Sequence, residues 1–516
     1  MSNRWNPALA AGFDSALELR AYSSRLLGAD PTLVLHGGGN TSVKGTWARA
    51  DGSTIPCLHV KGSGADLARV GATDFTPLAL EPARALLDGP SLTDDAFIAA
   101  LAPLVLRAYA PRPSIETLLH AALPASHVEH THSDNVLALV DTDAGSAIAC
   151  AVFGDLAPVV PFRHSGFDLA RACAAVFARD ATDRTIGLIL AFHGVVAFGN
   201  DAQASYDNML LLAQLAEDYL RGKGAWDLPH GAAAVVLDAT DALALARLRR
   251  SLSAIAGFPL VLARNDDPEV IGFIGRDDLP DIALQGPPTP QHSIFTKRVP
   301  MLGRDADGYA HAYRGYLRTA APPGTEPHRL PDPAPRVALD RRLGLVGAGI
   351  DARHAGITIE VYRHDIDIIS RASAHDRYRA LPPGQVLAGE IHYGGFERRL
   401  RSAAATHAPL MGAIVLVVDG GAQAAACATA LRDAGADVFV QPPGDDLAAA
   451  AIDLALAHGG LDLIACAEPG TIVPDIIAAL FEQSPFTPAP GATRLPSHDH
   501  VLGSPSIALL IPRQPA

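Results

Sequence analysis

Two histidines separated by one residue constrain this chain more than any other feature. His130 and His132 lie in the segment V-E-H-T-H-S-D-N, and P-S-I-E, ending at Glu116, precedes it. If the histidine segment is a strand, both imidazoles point to the same face, because side chains alternate along a strand. Two imidazoles on one face can bind one metal ion, and Glu116 lies in a helix-like run that can fold back towards them. The pattern predicts a metal site that needs a further imidazole.

Length and composition indicate a globular protein with several domains. The 516 residues exceed one ordinary core, so roughly two to four domains are expected. The hydrophobic fraction of 49% and the charged fraction of 19% are those of a soluble protein. The net charge of −14 argues against a nucleic-acid or acidic-membrane partner. A local nest of backbone N–H groups can still bind an anionic substrate.

The cysteines and the absence of long apolar runs indicate the compartment. Five cysteines lie far apart and form no C-x-x-C pair, which is typical of a reducing environment. The N-terminal M-S-N-R-W-N-P lacks the apolar core of a signal peptide. No apolar run approaches the roughly 18–20 residues that span a bilayer. We therefore expect a cytoplasmic protein without a membrane partner.

Two glycine-rich loops predict a binding site for phosphate or carboxylate. G-G-G-N-T-S-V-K contains Asn40 and follows a predicted strand at 32–36, and K-G-S-G-A-D-L contains Ser63 and Gly64 and follows one at 55–60. Glycine permits the positive φ angles that turn backbone N–H groups inward. Two ordinary tight turns would give the same pattern for either loop alone. Neither loop matches the nucleotide-binding P-loop.

A further candidate ligand lies between two predicted strands in T-I-G-L-I-L-A-F-H-G-V-V-A-F-G. A single histidine at a strand break is more often a core residue than a ligand, but His193 is the imidazole that His130 and His132 require. Apolar periodicity predicts the surrounding elements. Helices are expected at 12–29, 91–122, 167–178 and 202–220. The histidine strand is expected within 126–140, and a further strand at 148–160.

Residues 30–220 resemble the class II aldolase/adducin family. The matching pieces, in the family's order, are G-G-G-N-T-S-V-K, V-K-G-S-G-A-D-L, P-S-I-E, H-T-H and H-G-V-V-A-F-G. Their wording is most similar to the bifunctional rhamnulose-1-phosphate aldolase/short-chain dehydrogenase branch. The resemblance implies an α/β fold in which residues 1–228 form an α/β/α domain around a central, mainly antiparallel sheet.

The resemblance also implies a metal-dependent lyase. Such an enzyme cleaves a phosphorylated ketose to dihydroxyacetone phosphate and an aldehyde through a metal-stabilised enediolate. The metal would be Zn²⁺, with Co²⁺ or Mn²⁺ as substitutes. Glu116 would move a proton at the enediolate carbon. The implied metal ligands are His130, His132 and His193, and the implied phosphate contacts are Asn40, Ser63, Gly64 and Ser114.

Two departures from the family pattern bear on the substrate. Ile115 follows Ser114, where simpler aldolases often have a second phosphate-binding serine. In several relatives a tyrosine of a neighbouring subunit donates a proton, but the aligned stretch 149–165 contains no tyrosine. We therefore assign no second acid. Family members usually form cyclic tetramers, so a homo-oligomer, most simply a tetramer, is expected. The neighbouring histidines are interpreted as packing or supporting groups: His120, His127 and His164.

The middle region, 229–408, is interpreted as an appendage of the aldolase part with an undetermined fold. Helices are expected at 242–253 and 355–372, and a strand at 343–349. The segment T-P-Q-H-S-I-F-T-K-R-V-P is polar enough to be functional, but a solvated loop is the simpler interpretation. Its polar residues are His292, Lys297 and Arg298.

Residues 409–516 read as a truncated Rossmann-like sheet of the short-chain dehydrogenase type. Strand, helix, strand, helix and strand follow one another, which predicts parallel pairing. The family's T-G-x-x-x-G-x-G is replaced by Asp419, Gly420, Ala424 and Ala426, and a Cβ obstructs approach of the pyrophosphate. C-A-E-P-G replaces the Asn-Asn-Ala-Gly element, and no Y-x-x-x-K follows. We therefore expect no dehydrogenase activity and no bound NAD.

The motifs leave several functions open. A sugar-phosphate 4-epimerase or a keto-acid phosphate decarboxylase of the same fold would share the enediolate chemistry and the same residues. A bifunctional aldolase/dehydrogenase would require NAD binding after Met411. A non-catalytic, adducin-like scaffold is disfavoured because Glu116 and the three histidines are all present.

Overall fold

The computed structural model describes residues 2–231, 235–393, 397–398, 401–402, 408–418, 422–442, 446–466, 475–486 and 508–510. The chain forms two compact units. One comprises 1–228, 288–290 and 367–381, and the other comprises 229–287, 291–366 and 382–516. The domain division at residues 228 and 408 stays a prediction. The positions Asp419, Gly420 and 467–470, which bear on nucleotide binding, lie outside the described residues.

A seven-stranded sheet forms the centre of the first unit. Its strands are Asn40–Ala48 (β1), Thr54–Lys61 (β2), Phe75–Ala79 (β3), His127–Thr131 (β4), Val159–Val160 (β5), Gly187–Leu190 (β6) and Gly194–Gly199 (β7). They lie in the order β3-β2-β1-β4-β7-β6-β5. All neighbours are antiparallel except β5 and β6. The predicted, mainly antiparallel sheet is confirmed.

Helices cover both faces of this sheet. They are Pro7–Ala10 (α1), Ala16–Gly28 (α2), Leu80–Ala85 (α3), Asp94–Leu101 (α4), Thr117–Ala122 (α5), Asp134–Val140 (α6), Gly145–Phe153 (α7), Phe167–Asp180 (α8) and Ala202–Gly222 (α9). Val195 and Ala197 of β7 pack with α2, α6, α7 and α9. Val196 and Phe198 pack with α3, α4, α5 and α8. The alternation along β7 therefore builds two apolar layers, one on each side of the sheet.

Short 3₁₀ helices connect several elements. They are Leu67–Arg69, Ala72–Asp74, Leu86–Asp88, Ala102–Leu104, Gly154–Leu156 and Pro327–Arg329. Among the described residues, no helix has the length and the apolar composition needed to cross a membrane.

The predicted strand at 32–36 is wrong. The Asp30 carboxylate accepts hydrogen bonds from the backbone N–H and the hydroxyl of Thr32. The N–H of Leu33 donates to the Asp30 carbonyl, so a local turn uses the donors that a strand would offer to a neighbour. The carbonyl of Leu33 accepts from the N–H of His132, which fixes the backbone just beyond β4.

Two further predictions require correction. The strand expected at 148–160 is mainly helix α7, and only Val159–Val160 is extended. A short apolar run does not separate a strand from a buried helix by periodicity, and the alanines favour the helix. The helix expected at 91–122 is broken between α4 and α5, where prolines remove backbone donors.

The rest of the chain contains two four-stranded sheets. The strands of the first are Val261–Asn265 (β8), Met301–Leu302 (β9), Val337–Asp340 (β10) and Gly344–Gly349 (β11). Those of the second are Ile414–Val418 (β12), Asp437–Gln441 (β13), Leu463–Cys466 (β14) and Ala508–Leu510 (β15). In the second sheet β12 pairs in parallel with β13 and β14, which confirms the predicted C-terminal parallel sheet. Strand β15 adds to β14 in the antiparallel sense.

Ten described helices accompany these sheets. They are Ala239–Ala256 (α10), Pro268–Ile274 (α11), Leu279–Ala283 (α12), Ser293–Thr296 (α13), Ala306–Ala320 (α14), Ala352–His375 (α15), Pro383–Tyr393 (α16), Ala422–Asp433 (α17), Leu447–His458 (α18) and Asp475–Phe481 (α19). Ala242 and Ala246 of α10 share an apolar cluster with Ile414 and Leu416 of β12.

The polar segment around α13 is buried, so the interpretation as a solvated loop is wrong. His292 is 3% exposed and its Nδ1 lies 2.6 Å from the Asp365 carboxylate. Lys297 is 5% exposed, and its ammonium donates to the Asp332 carboxylate and to the Ala334 carbonyl. These polar groups have partners inside the unit, and the local sequence does not reveal them because the partners are distant in the chain.

Candidate active site

The edge where β4 ends brings the three predicted metal ligands together. His130 lies within β4, opposite Asn40 of β1 on one side and Val196 of β7 on the other. His132 follows the strand end, and His193 lies in the turn between β6 and β7. One ring nitrogen from each imidazole lies within 4.8 Å of the others. The antiparallel register therefore assembles ligands that are far apart in the sequence.

The turn that carries His193 requires the glycine that follows it. Gly194 has a φ of +151°, and a Cβ there would lie 2.3 Å from the carbonyl oxygen of Thr131. Phe192 also has a positive φ of 56°, which is uncommon for a residue with a side chain. The backbone of the turn is pressed against the end of β4, and this close approach places His193 beside His130.

Hydrogen bonding orients the His130 ring for metal binding. Its Nδ1 lies 3.0 Å from the carbonyl oxygen of Val195, so Nδ1 carries the proton and donates. The lone pair of Nε2 then points towards His132, whose Nε2 lies 3.0 Å away. Two nitrogen atoms that face each other in a buried site suit a shared cation. The donor set, three imidazoles, is one that Zn²⁺ and related ions accept.

Burial keeps His193 neutral. Loss of hydration lowers the pKa of its imidazole to about 4, against the opposing effect of the nearby Glu116 carboxylate. A neutral imidazole is the form that binds a metal ion. The ring is therefore ready to act as a ligand at neutral pH without losing a proton first.

Glu116 faces two of the three imidazoles. Its Oε1 lies 3.3 Å from Nε2 of His193 and its Oε2 lies 3.6 Å from Nε2 of His130. The residue is only 3% exposed and precedes the first residue of α5. Burial alone would raise the pKa of Glu116, but the imidazoles of His130 and His193 and the amide of Asn40 lower it, and it is about 2. The carboxylate is therefore ionised at neutral pH.

Two of the four predicted phosphate contacts touch Glu116. The amide nitrogen of Asn40 donates to Oε2 of Glu116 over 2.6 Å. The hydroxyl oxygen of Ser114 accepts from the backbone N–H of Glu116 over 3.2 Å, so Ser114 closes the turn that leads into α5. Ile115 packs against the apolar layer that contains α5 and α8. Its partly buried side chain therefore packs against the core.

The other two predicted contacts lie on the second glycine-rich loop. Ser63 and Gly64 are exposed, and Gly64 has a φ of +81°. The N–H of Ser63 donates to the carbonyl of Arg112, which joins this loop to the segment before Ser114. A Cβ on Gly37 of the first loop would lie 3.6 Å from the carbonyl oxygen of Gly64. The two loops are therefore neighbours in the folded unit.

Lys61 and His120 are supporting residues whose contacts sequence analysis did not specify. The Lys61 ammonium donates to the carbonyls of Gly37 and Ala65, one in each glycine-rich loop, over 3.1 and 2.6 Å. Burial lowers the pKa of Lys61 to about 8. His120 contacts Asn40. The sequence could have indicated that His120 lies near Glu116, because His120 follows it by four residues and residues four apart share one face of a helix.

Comparison with known families identifies the family of this chain. The model of the class II aldolase and adducin N-terminal domain matches residues 18–220, and the model of the class II aldolase second domain matches residues 239–399. The chain belongs to the class II aldolase/adducin family. The family predicted from the motifs is confirmed, and the middle region, whose fold was undetermined, is matched to the family's second domain.

Several individual proteins are similar to parts of this chain. The N-terminal class II aldolase domain of a conserved protein from Thermoplasma acidophilum is 35% identical, with a TM-score of 0.40, over 43% of this chain and 100% of that domain. The L-fuculose-1-phosphate aldolase of Thermus thermophilus is 18% identical, with a TM-score of 0.27, over 40% of this chain and 94% of that one. An uncharacterized oxidoreductase of Bacillus subtilis, YuxG, is 27% identical over 82% of this chain. The chain spans 64% of that relative's length.

Proposed function

We propose that this protein is a metal-dependent aldolase that cleaves a phosphorylated ketose, similar to rhamnulose 1-phosphate, into dihydroxyacetone phosphate and an aldehyde. The observation that carries the proposal is the placement of an ionised, buried carboxylate, Glu116, against the ring nitrogens of His130 and His193. Three imidazoles alone could hold a structural metal ion. The additional carboxylate beside them favours a catalytic site. Membership of the class II aldolase/adducin family is consistent with it.

The three imidazoles would hold a divalent ion, with Zn²⁺ as the first choice and Co²⁺ or Mn²⁺ as substitutes. When bound, such an ion supplies Lewis-acid stabilisation of the negative charge that develops on the ketone oxygen as the carbon–carbon bond breaks. The hydrogen bond from Nδ1 of His130 to the Val195 carbonyl fixes that ligand's orientation. The antiparallel pairing of β4 with β1 and β7 fixes its position.

Glu116 would move the proton. In the cleavage direction the proton that the substrate hydroxyl loses as the carbon–carbon bond breaks would pass to Glu116, whose conjugate acid would deliver it to the hydroxymethyl carbon of dihydroxyacetone phosphate. In the synthetic direction the carboxylate removes that proton. A carboxylate with a pKa of about 2 is ionised when substrate arrives, which suits the synthetic direction. Binding of a substrate beside Oε1 changes its surroundings, so its pKa in the complex differs from that of the free protein.

The glycine-rich loops would bind the phosphate. Ser63 and Gly64 offer exposed hydroxyl and N–H donors on a loop whose glycine has a positive φ, which is the backbone shape of an anion-binding nest. Asn40 connects this region to Glu116 through its side-chain amide. Ser114 is buried at the turn into α5 and accepts from Glu116, so its hydroxyl proton is free to be donated to an anion.

A cleavage assay tests the proposal. Purified protein loaded with Zn²⁺ would be given a panel of ketose 1-phosphates, pentulose 5-phosphates and keto-acid phosphates. Release of dihydroxyacetone phosphate from a ketose 1-phosphate, abolished by a chelator and by Glu116→Gln, supports the aldolase. Inversion at carbon 4 without release indicates the epimerase, and release of carbon dioxide indicates the decarboxylase. Failure to retain a stoichiometric divalent ion, together with no turnover of any compound, would favour a scaffold.

The association state follows from the same proposal. Site residues of the family usually lie near subunit borders, so we expect a homo-oligomer, most simply a tetramer, in solution. Light scattering coupled to size exclusion gives the mass directly, and a monomer of 53.7 kDa that is fully active would contradict this part.

A further inference from the structure

His120 lies at the centre of a buried chain of hydrogen bonds that ends on Glu116. Its Nδ1 contacts the hydroxyl of Ser42 at 2.8 Å, and its Nε2 contacts the amide oxygen of Asn40. The amide nitrogen of Asn40 donates to Oε2 of Glu116 at 2.6 Å. All four side chains are buried, and Ser42 and His120 are fully inaccessible. The chain therefore runs from β1, through α5, back to β1 and on to the carboxylate.

The hydrogen bond from the Asn40 amide nitrogen to Oε2 of Glu116 sets the direction of the other hydrogen bonds in this series. A carboxylate only accepts, so Asn40 must present its amide nitrogen to Glu116 and its amide oxygen to His120. His120 must then donate from Nε2. Burial lowers the pKa of His120 to about 3, so the ring is neutral and carries one proton. Nδ1 therefore accepts from the hydroxyl of Ser42, and one tautomer of the imidazole is selected.

The two oxygens of Glu116 are not equivalent. Oε2 is held by the Asn40 amide, whereas Oε1 is buried and has no hydrogen-bond partner within the part of the chain that is described. Oε1 lies 3.3 Å from Nε2 of His193, the face on which a substrate would meet the metal ligands. A buried carboxylate oxygen without a hydrogen-bond donor lowers the stability of the fold, so its presence calls for a functional explanation. Anchoring one oxygen leaves the other aimed at the site.

We propose that His120 is a positioning residue that fixes the amide of Asn40, and through it anchors Oε2 of Glu116, so that Oε1 is the oxygen that transfers the proton. The inference rests on the proposed aldolase function. It assigns Asn40 a second task besides the phosphate contact, because an amide nitrogen carries two protons and one bond to Glu116 leaves the other for substrate.

Two substitutions of His120 separate its hydrogen bond to Ser42 from its hydrogen bond to Asn40. In His120→Gln the new amide reaches the place of Nε2 and can still donate to Asn40. In His120→Asn the shorter side chain reaches only the place of Nδ1, so it keeps Ser42 and loses Asn40. We expect kcat to fall by about 10–100-fold in H120N, with little change in KM, and H120Q to recover most of the loss. His127→Gln is the control for replacing another buried histidine of the same unit.

Metal content and thermal stability are measured for each variant, so that a folding defect is recognised separately. Equal losses of kcat in H120Q and H120N would overturn the inference, because the donor that only H120Q keeps would then make no difference. A rise in KM with unchanged kcat would also overturn it, because Asn40 would then be a substrate contact only.

Crystal structures of wild type, H120Q and H120N supply a readout that does not need turnover. The inference predicts that H120N loses the bond between Asn40 and Oε2 of Glu116 and that H120Q keeps it. If the wild-type protein cleaves no ketose phosphate but these structures differ as expected, the proposed function fails and the positioning role stands. If the wild type is active and Glu116 keeps its place in H120N, the positioning role fails alone.

Discussion

Oε1 of Glu116 lies 3.3 Å from Nε2 of His193, although 77 positions separate the two residues in the chain. The carboxylate thus faces the same nitrogen that a metal ion would use. Under the proposed function, this carboxylate would be close enough to a bound ion to ligate it and close enough to a substrate to transfer a proton. This relationship makes Glu116 the first residue to test.

Glu116→Gln should retain metal and lose turnover. The amide has nearly the same shape but cannot accept or deliver the proton, and general acid–base groups contribute about 10²–10⁴-fold to a rate. We expect kcat to fall by that factor while metal analysis gives the wild-type stoichiometry, because three imidazoles remain. Full activity in this variant would remove Glu116 from the acid/base role.

Gly194→Ala should disrupt the site through the backbone. An added Cβ would lie 2.3 Å from the carbonyl oxygen of Thr131 and 3.2 Å from Cα of His132, at a φ of +151°. Strain and overpacking together cost about 2–5 kcal/mol. We expect a lower melting temperature and weakened metal binding.

Gly222→Ala is the matched control for that variant. Gly222 ends α9, and a Cβ there meets no atom within 4 Å. Stability should stay the same or increase slightly, because alanine restricts the unfolded chain more than glycine does. Equal damage in both variants would mean that the close approach at Gly194 is not what holds the turn.

The sequence predicts a site where a motif specifies its chemistry, but it does not predict contacts between residues that are distant in the chain. The spacing of His130 and His132 and the H-G pair at His193 point to three candidate ligands, and the structure brings these imidazoles together. The register that aligns them depends on β4 pairing with β1 and β7, which no local pattern encodes. Lys297 was misread for the same reason, because its partner Asp332 follows 35 residues later.

Short apolar runs were the other source of error. T-L-V-L-H has the composition of a strand, but Asp30 and Thr32 use the backbone donors in a turn. The run that forms α7 has small and apolar residues on all faces of the helix, so its sequence shows no helical period and resembles a strand.

The stability of the metal-free protein should decrease in mild acid. Burial is the main reason that the pKa of His127 falls from 6.5 to about 4, and the charge of Arg20 adds to it. Between these values the unfolded chain binds the proton and the folded chain does not. The free energy of unfolding therefore rises with pH in this window. The contribution of His127 to it is lost as pH falls from 6.5 towards 4.

Urea unfolding with a chelator present measures this dependence. His127 alone should contribute about 2 kcal/mol between pH 7 and pH 5. His127→Gln should flatten the curve in that interval, since glutamine does not titrate. If the free energy of unfolding depends on pH as steeply in the variant as in the wild type, His127 is protonated in the folded state or exposed to solvent.

The C-terminal sheet should not bind NAD(H). Ala424 of α17 is 5% exposed and packs with Val415 and Val417 of β12, at the position where a dehydrogenase has a glycine. The Cβ occupies the space that would let the helix start approach a pyrophosphate. We expect no enhancement of NADH fluorescence at millimolar concentration. Saturable enhancement that is lost on heating to the unfolded state would restore the bifunctional aldolase/dehydrogenase.

Asp462→Ala should destabilise the second unit strongly. Arg249 of α10 is 1% exposed, and its guanidinium donates to both carboxylate oxygens of Asp462 over 3.0 and 2.7 Å. The same carboxylate accepts from the N–H of Ile414 at the start of β12. Removing it leaves a buried, unpaired cation, which costs about 3–5 kcal/mol. Denaturant unfolding of the full chain, followed by circular dichroism, measures the loss.

The double variant Arg249→Met with Asp462→Leu separates the charge from the packing. Replacing both members of a buried ion pair by apolar residues removes the unpaired cation, so it should recover much of the stability that Asp462→Ala loses. Asp180→Ala, which breaks the exposed pair of Arg179 and Asp180, should leave stability unchanged. A double variant as unstable as Asp462→Ala would mean that the hydrogen bonds of these two side chains to their other neighbours, and not the buried charge, are the dominant contribution to stability at this position.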